Sequence, residues 1–442
     1  MTPNLTTAGS IALLCKIPTD RFKAGQLSFL AAMPITRESA CLAPLLLSVL
    51  RRGTTHYPTL SDISRRLDWL WGAGFSVRSS YRGNLLVVGF SATLLDASYL
   101  PGGGDDLLRG IPELMREILL SPVRDADGLL SAKYVESEKG LQCDAIRAQK
   151  NNPRAYACDR AREILYDTEP CGIRIWGTEE ETMAVTRQAL TDYYTRFLAA
   201  FRPILFSVGL SDSERLSAEL VRQFGGHLTA PDGLPVCSHR LVRRAAPVRV
   251  SEALPVSQSQ LVLGLRSGIL LGDADFFACS VYNELLGMSP VSRLFVYVRE
   301  KKSLCYSCSS SYQGTFGSLL ISCGLRKENR AAAEEEILHQ LDEIRAGSFS
   351  DGELDAAKKS LINAYRQLED SAGGLESYWL GRMLAGAGTE SSIDESIRRI
   401  DSVTRADVVR VACAVSVEVT YFLEGTLAGE EGCDDEDDGI SV

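Results

Sequence analysis

Apolar and polar positions alternate along the chain with two periods, and the first two hundred residues divide accordingly. Leu27 and Phe29 flank Ser28 in a strand from Gln26 to Met33, which Pro34 ends, and a shorter strand runs from Ile11 to Cys15. A helix follows and stops at Leu50-Arg51-Arg52-Gly53. Its last basic residues meet the negative dipole end, and Gly53 is expected as a left-handed cap. Pro44 either starts or kinks this helix. The next helix takes Thr59 and Asp62 as its cap, sets Ile63, Leu67, Leu70 and Trp71 on one face, and ends at Gly72. A hairpin is predicted from Phe75 to Ser80 and Leu85 to Ala92, then helices over 106–120, 125–150, 153–166 and 187–200, and a strand over 204–210. Ser211-Asp212-Ser213-Glu214 reads as a capping box that launches a helix to Phe224.

From His227 to about Leu254 periodicity is lost among prolines, arginines and small residues. The basic cluster Arg240, Arg243, Arg244 and Arg249 is either a solvated linker or a site for an acidic partner. The pattern then repeats. Leu261 to Leu265 is a strand and Ala274 to Leu286 a helix. Strands over 307–312 and 318–325 form a hairpin that resembles the first one, and helices follow over 328–346 and 350–370, the second opened by the capping box Ser350-Asp351-Gly352-Glu353. Val403-Thr404-Arg405 matches Val185-Thr186-Arg187, and a strand over 417–423 matches 204–210. This is an internal duplication. The expected fold is α+β: two homologous domains, each a mainly antiparallel sheet with helices packed on one face. Their bounds are 1–226 and 254–429, with a linker at 227–253 and an acidic tail at 430–442.

At 442 residues the chain exceeds one hydrophobic core, and 45% hydrophobic with 24% charged residues is ordinary globular composition. The net charge of -10 opposes nucleic-acid binding. The longest apolar stretch, Leu42 to Leu50, is too short to span a bilayer and is broken by Pro44 and Ser48, so no membrane association is expected. No secretion pattern opens the chain, and the expected location is the cytoplasm. Of the 12 cysteines only Cys305 and Cys308 form a C-x-x-C; on a strand they face opposite ways, and they are expected as buried thiols. The turn Pro101-Gly102-Gly103-Gly104 lacks the Lys-Ser/Thr of a phosphate loop. The four histidines, His56, His227, His239 and His339, never fall within a helical turn of each other, and no nucleophile elbow or kinase signature is present.

One stretch stands apart. Ser292 to Tyr306 carries Arg299 and Tyr306 from a charged helical segment into a strand, so a fixed cation and a phenol can point at one place. Such a pair suits a peptide carbonyl that is gaining negative charge. The plain alternative is an exposed ion pair at Arg299 and a packed phenol at Tyr306.

The duplication, together with Ser292-Arg293-Leu294-Phe295, Arg299-Glu300-Lys301, Leu304-Cys305-Tyr306-Ser307 and the Ser350-Asp351-Gly352-Glu353-Leu354 helix start, resembles the insulinase and pitrilysin family. That family includes the mitochondrial processing peptidase. Its catalytic members carry H-x-x-E-H on the first helix and a glutamate further on as third zinc ligand. Anchored on Arg52-Gly53-Thr54, the five motif positions fall on Pro44-Leu45-Leu46-Leu47-Ser48, and the third-ligand position, seven after Glu138, falls on Ala145. The resemblance therefore implies no metal in this chain, with zinc held by a partner, and no peptide hydrolysis by the chain alone. It also implies that Arg299 and Tyr306 are the family's paired substrate-binding residues, acting in trans at the partner's zinc site. The implied role is the metal-free subunit of a heterodimeric zinc peptidase acting on peptides or unfolded polypeptides, beside an insulinase-like subunit with an intact H-x-x-E-H. The alternative is a catalytically inactive structural or peptide-binding scaffold.

Overall fold

The computed structural model describes residues 2–167, 169–237, 244, 246–388 and 392–427. Two sheets organise it. The first has six strands: β1 (Asn4–Ala8), β2 (Ala12–Ile17), β3 (Ala24–Pro34), β4 (Gly74–Arg82), β5 (Leu85–Leu95) and β6 (Pro203–Val208), in the order β1-β2-β6-β3-β5-β4. The second has five: β7 (Val248–Leu254), β8 (Ser259–Arg266), β9 (Ser307–Gln313), β10 (Ser318–Leu325) and β11 (Ser416–Gly425), in the order β7-β11-β8-β10-β9. All pairs are antiparallel except β2 with β6 and β7 with β11. Setting β1 aside, the two orders and their single parallel pairs coincide, which is the duplication expressed as topology. β4 and β9 are free edges, each with its outer backbone donors and acceptors unpaired within its sheet.

Each sheet buries one face under the helices of its own half. Leu45, Leu46, Leu47, Ile111, Leu114, Met115, Phe197 and Leu220 close over the first sheet at Phe29, Val88 and Phe90. Val281, Leu285, Ile337, Leu341 and Val411 close over the second at Leu263, Leu319 and Ile321. The opposite faces are covered by exchange between the halves. The helix Ala372–Leu384 packs Leu375, Trp379 and Leu380 on Leu30, Val87 and Phe206 of the first sheet. The helix Pro153–Tyr166 packs Ala157, Ala161 and Leu165 on Val262, Val419 and Tyr421 of the second. The exchange carries one buried charge: Glu376, fully buried, accepts from Ser28 and Gln26 and lies 3.5 Å from Arg78. A carboxylate can be buried there because these donors replace its water.

Several local readings change. Residues 248–254, all but the last inside the expected linker, form β7; its exposure alternates along an edge, and its basic and proline-rich approach hides the strand pattern. Arg249 pairs with Glu334 at 2.7 Å and Arg244 lies 3.4 Å from Asp167, so neither is a free solvated cation, while Arg240 and Arg243 lie outside the described residues, as does the acidic tail. Pro44 does not start its helix but lies inside it, the helix running Arg37–Arg51 from a Thr36 cap. Gly53 is not left-handed. It is needed because a Cβ there would stand 2.2 Å from the Pro58 carbonyl oxygen. The helix expected from 125 begins at Ala132, and Asp212 caps Ser213–Phe224 without a side-chain bond, because Ser211 is held by Asp96 instead. Trp71, expected on a buried face, is half exposed.

Candidate functional site

The stretch before β9 is built as a rigid turn. Leu294–Lys301 is wound as a wide π-helix, an uncommon form that concentrates at functional sites. Leu294 and Val298 are its buried anchors. Ser303 then adopts φ 51°, and this left-handed residue reverses the chain from helix to strand. The reversal is pinned by Ser303 N–H to Arg299 O at 3.0 Å, Leu304 N–H to Val298 O at 3.0 Å, Asn329 Nδ2 to Leu304 O at 3.0 Å and Tyr306 N–H to Gly324 O at 2.8 Å.

Behind the turn, Arg293 is 4% exposed and reaches Gln340 at 2.8 Å, the Ser348 carbonyl at 3.0 Å and Glu353 at 2.9 Å. The other oxygen of Glu353 accepts from Ser350 N–H at 2.8 Å in the capping box of the helix Asp351–Gln367. Two motifs that look separate in sequence are thus one clamp. Burial opposes ionisation of Glu353, but the Ser350 hydrogen bonds and Arg293 outweigh it and hold its pKa below 4.5. A depressed carboxylate pKa contributes stability above the unfolded value, and the contribution is lost as pH falls through the folded one. Glu353→Gln is therefore expected to cost about 2 kcal/mol at neutral pH and to flatten the loss of stability seen on acidification below pH 4.5, read from urea midpoints.

Arg299 and Tyr306 share the wall of an open cavity of about 420 Å³, together with Ser303, Leu304, Cys305, Arg326 and Asn329. Among the described residues no carboxylate pairs with Arg299, whose guanidinium sits 4.7 Å from the centre of the Phe295 ring. Tyr306 is 54% exposed, and its hydroxyl accepts from Arg326 Nε at 2.9 Å. Neither an ion pair nor a packed phenol describes them. Arg326 is absent from the sequence reading. Its only signal is its place one residue beyond β10, the strand paired with β9. Arg326→Ala should release the phenol and lower any activity that depends on Tyr306 about tenfold, the effect of losing one charge-assisted hydrogen bond of ~1.5 kcal/mol, measured as kcat.

The five motif positions lie on the helix Arg37–Arg51, which packs against Ala132–Ala148, the helix carrying Ala145. Pro44 and Leu47 are buried, and Ser48 and Ala145 are half buried. Proline, leucine and alanine side chains offer a metal no donor, and the Ser48 hydroxyl alone cannot hold zinc, so these residues do not fit the ion. Asp144, beside Ala145, is exposed and paired with Arg147 at 3.1 Å. Among the described residues no group of three or more His, Cys, Asp or Glu is placed to hold a metal. The helix is closely packed at these positions. Pro44 has no N–H for the Ala40 carbonyl, and Trp176 N–H takes that carbonyl at 3.0 Å. Gln142 reaches the next carbonyl, Cys41, at 3.3 Å, as well as Thr182 and the Trp176 carbonyl, both at 3.1 Å. Trp176 at φ 74° and Gly177 at φ 69° fold the loop hard against the helix; a Cβ on Gly177 would come 3.0 Å from Cys41 Cβ. At the helix end Arg52 pairs with Glu138 at 2.5 Å, joining the two motif segments.

The C-x-x-C departs from its strand reading. β9 starts at Ser307, so Cys305 lies in the turn and the pleat does not separate it from Cys308. Cys308 stands opposite Cys323 across the β9–β10 ladder, and the Cys305 thiol lies close enough to both for the three to influence one another's ionisation. Cys308 is buried, as expected, while Cys305 is only partly so.

Comparison with known proteins adds to this geometry. A sequence profile described as the Peptidase M16 inactive domain matches residues 184–361. The chain is 27% identical over 411 residues to "Probable inactive metalloprotease YmfF" of Bacillus subtilis (strain 168), spanning 93% of this chain and 95% of that protein. It is 25% identical over 270 residues to the "Mitochondrial-processing peptidase subunit beta" of Saccharomyces cerevisiae, 57% of each chain. Among solved structures, a conserved protein from Enterococcus faecalis V583 superposes with a TM-score of 0.88 at 25% identity, over 97% of this chain and 100% of that one.

Proposed function

We propose that this chain is an inactive-type member of the M16 peptidase family and the metal-free subunit of a paired zinc peptidase. One observation carries the reading: the zinc-motif positions Pro44, Leu47, Ser48 and Ala145 hold neither a ligand set nor a general base, while Arg299 and Tyr306 stand together on an open cavity. The partner subunit, with an intact H-x-x-E-H, would hold zinc, which would supply polarisation of the scissile carbonyl. This chain's part is to bind that carbonyl with the Arg299 guanidinium and to donate the Tyr306 O–H to the oxygen as it gains charge. The phenol oxygen already accepts from Arg326, which leaves its proton to give. The substrate is a peptide or unfolded polypeptide, because only an extended segment can add to the free edge of β9 or β4.

The proposed location is the cytoplasm, whose reducing conditions suit the eleven described cysteines, all free thiols. No helix among the described residues is long and apolar enough to cross a membrane. The Tyr306–Arg326 bond also favours a second reading, a peptide-binding scaffold in which the pair is structural. Purifying the tagged chain from its native cell tests the pairing. A stoichiometric partner of the same family with H-x-x-E-H supports it, and recovery only as a monomer or with partners lacking that motif refutes it.

A further inference from the structure

The three thiols beside the Arg299 cavity have no part in the function above, yet their placement is specific. They come from three different positions: the turn before β9, the second residue of β9, and the inner strand β10. Their burial is graded. Cys305 is partly open and lines the cavity, Cys308 behind it is 4% exposed, and Cys323 is fully buried. They do not form a metal site among the described residues. Proximity of an accessible thiol to a shielded one is what thiol–disulfide exchange requires.

We propose that Cys305 and Cys308 form a thiol–disulfide site in the cavity wall that reacts with low-molecular-weight disulfides carrying carboxylates. Cys305 is the attacking group. Hydrogen bonds from the Cys308 and Cys323 thiols, with the charge of Arg299, outweigh burial and pull its pKa down, while the same contacts raise that of Cys308. Arg299 and Arg326 line the approach and favour an anionic reagent.

The chemistry proceeds in two exchanges. The Cys305 thiolate attacks one sulfur of R–S–S–R; that bond breaks, RS⁻ leaves and takes up a proton, and a Cys305–S–S–R mixed disulfide forms. The Cys308 thiol then loses its proton to the departing group and attacks Cys305 Sγ, displacing the second RSH. The protein gives up two hydrogens and the reagent becomes two thiols. Cys308 resolves the intermediate rather than Cys323 because β10 is laddered on both sides, to β8 and β9, whereas β9 is an edge strand next to the turn. The bond closes a short loop around Tyr306. The site stands on the thiols alone, whether or not a partner's zinc faces the cavity.

The test uses the reduced full-length chain and oxidised glutathione, with timed quenching, blocking of free thiols and non-reducing peptide mapping. Cys305 is expected to acquire glutathione at least about tenfold faster than the exposed Cys413. A Cys305–Cys308 cross-linked peptide should then replace the adduct. In Cys308→Ala the adduct on Cys305 should persist, and in Cys305→Ala neither product should form. A Cys305 rate no greater than that of Cys413, or a bond from Cys305 to any other cysteine, overturns the proposal. The wild-type rates decide it even if a variant folds poorly. Peptidase activity is not measured, so failure here leaves the subunit reading intact.

Discussion

In the proposed paired peptidase, Arg299→Ala and Tyr306→Phe are each expected to lower kcat by about 10²–10³-fold, the usual effect of removing one donor aimed at a developing oxyanion. The size follows from the setting. Arg299 has no carboxylate partner among the described residues, so its charge is not already spent on an internal pair. The turn that presents both residues is fixed by four backbone-directed hydrogen bonds and by the Arg293–Glu353 clamp behind it. Little reorganisation is then needed when substrate arrives. Tyr306→Phe removes only the hydroxyl and keeps the ring, so a loss of activity with unchanged assembly separates chemistry from folding. Full activity in either variant would favour the scaffold reading.

Leu47→Glu should destabilise the isolated chain by about 3 kcal/mol or more, because it places a carboxylate at a fully buried position packed in the first core. On the alignment that the family resemblance implies, Leu47 takes the place of the general base. The cost measures how completely the site has become core, since Trp176 and Gln142 now bond the carbonyls of the same helix. Ser48→His, at a half-buried position, should cost less than about 1 kcal/mol. Chemical denaturation reads both. A Leu47→Glu chain as stable as the wild type would mean that a polar cavity survives beside the helix.

The sequence was most legible where chemistry and spacing coincide locally. The Thr59 and Ser350 capping boxes form as read, since each needs only two side chains three residues apart. Arg299 and Tyr306 converge because the six residues between them include a single reversal, at Ser303. What stayed hidden depends on partners distant in sequence. Arg326 meets Tyr306 only through the β9–β10 register. The helices Pro153–Tyr166 and Ala372–Leu384 cover the sheet of the opposite half, which no local period can reveal. β7 has only a partly buried face, and Cys305 was misplaced because the strand begins two residues later than its position. Pro44 reads locally as a helix start or a kink, but it sits within the helix, and the carbonyl it leaves unpaired is taken by Trp176, far along the chain.

The most direct test of the central claim is a zinc and activity balance on the two chains, purified separately and then mixed. The account predicts zinc only in the H-x-x-E-H subunit, hydrolysis of an unfolded peptide by neither chain alone, and hydrolysis by the mixture, lost when this chain carries Arg299→Ala. Stoichiometric zinc in this chain, or a mixture no more active than the partner alone, would contradict it.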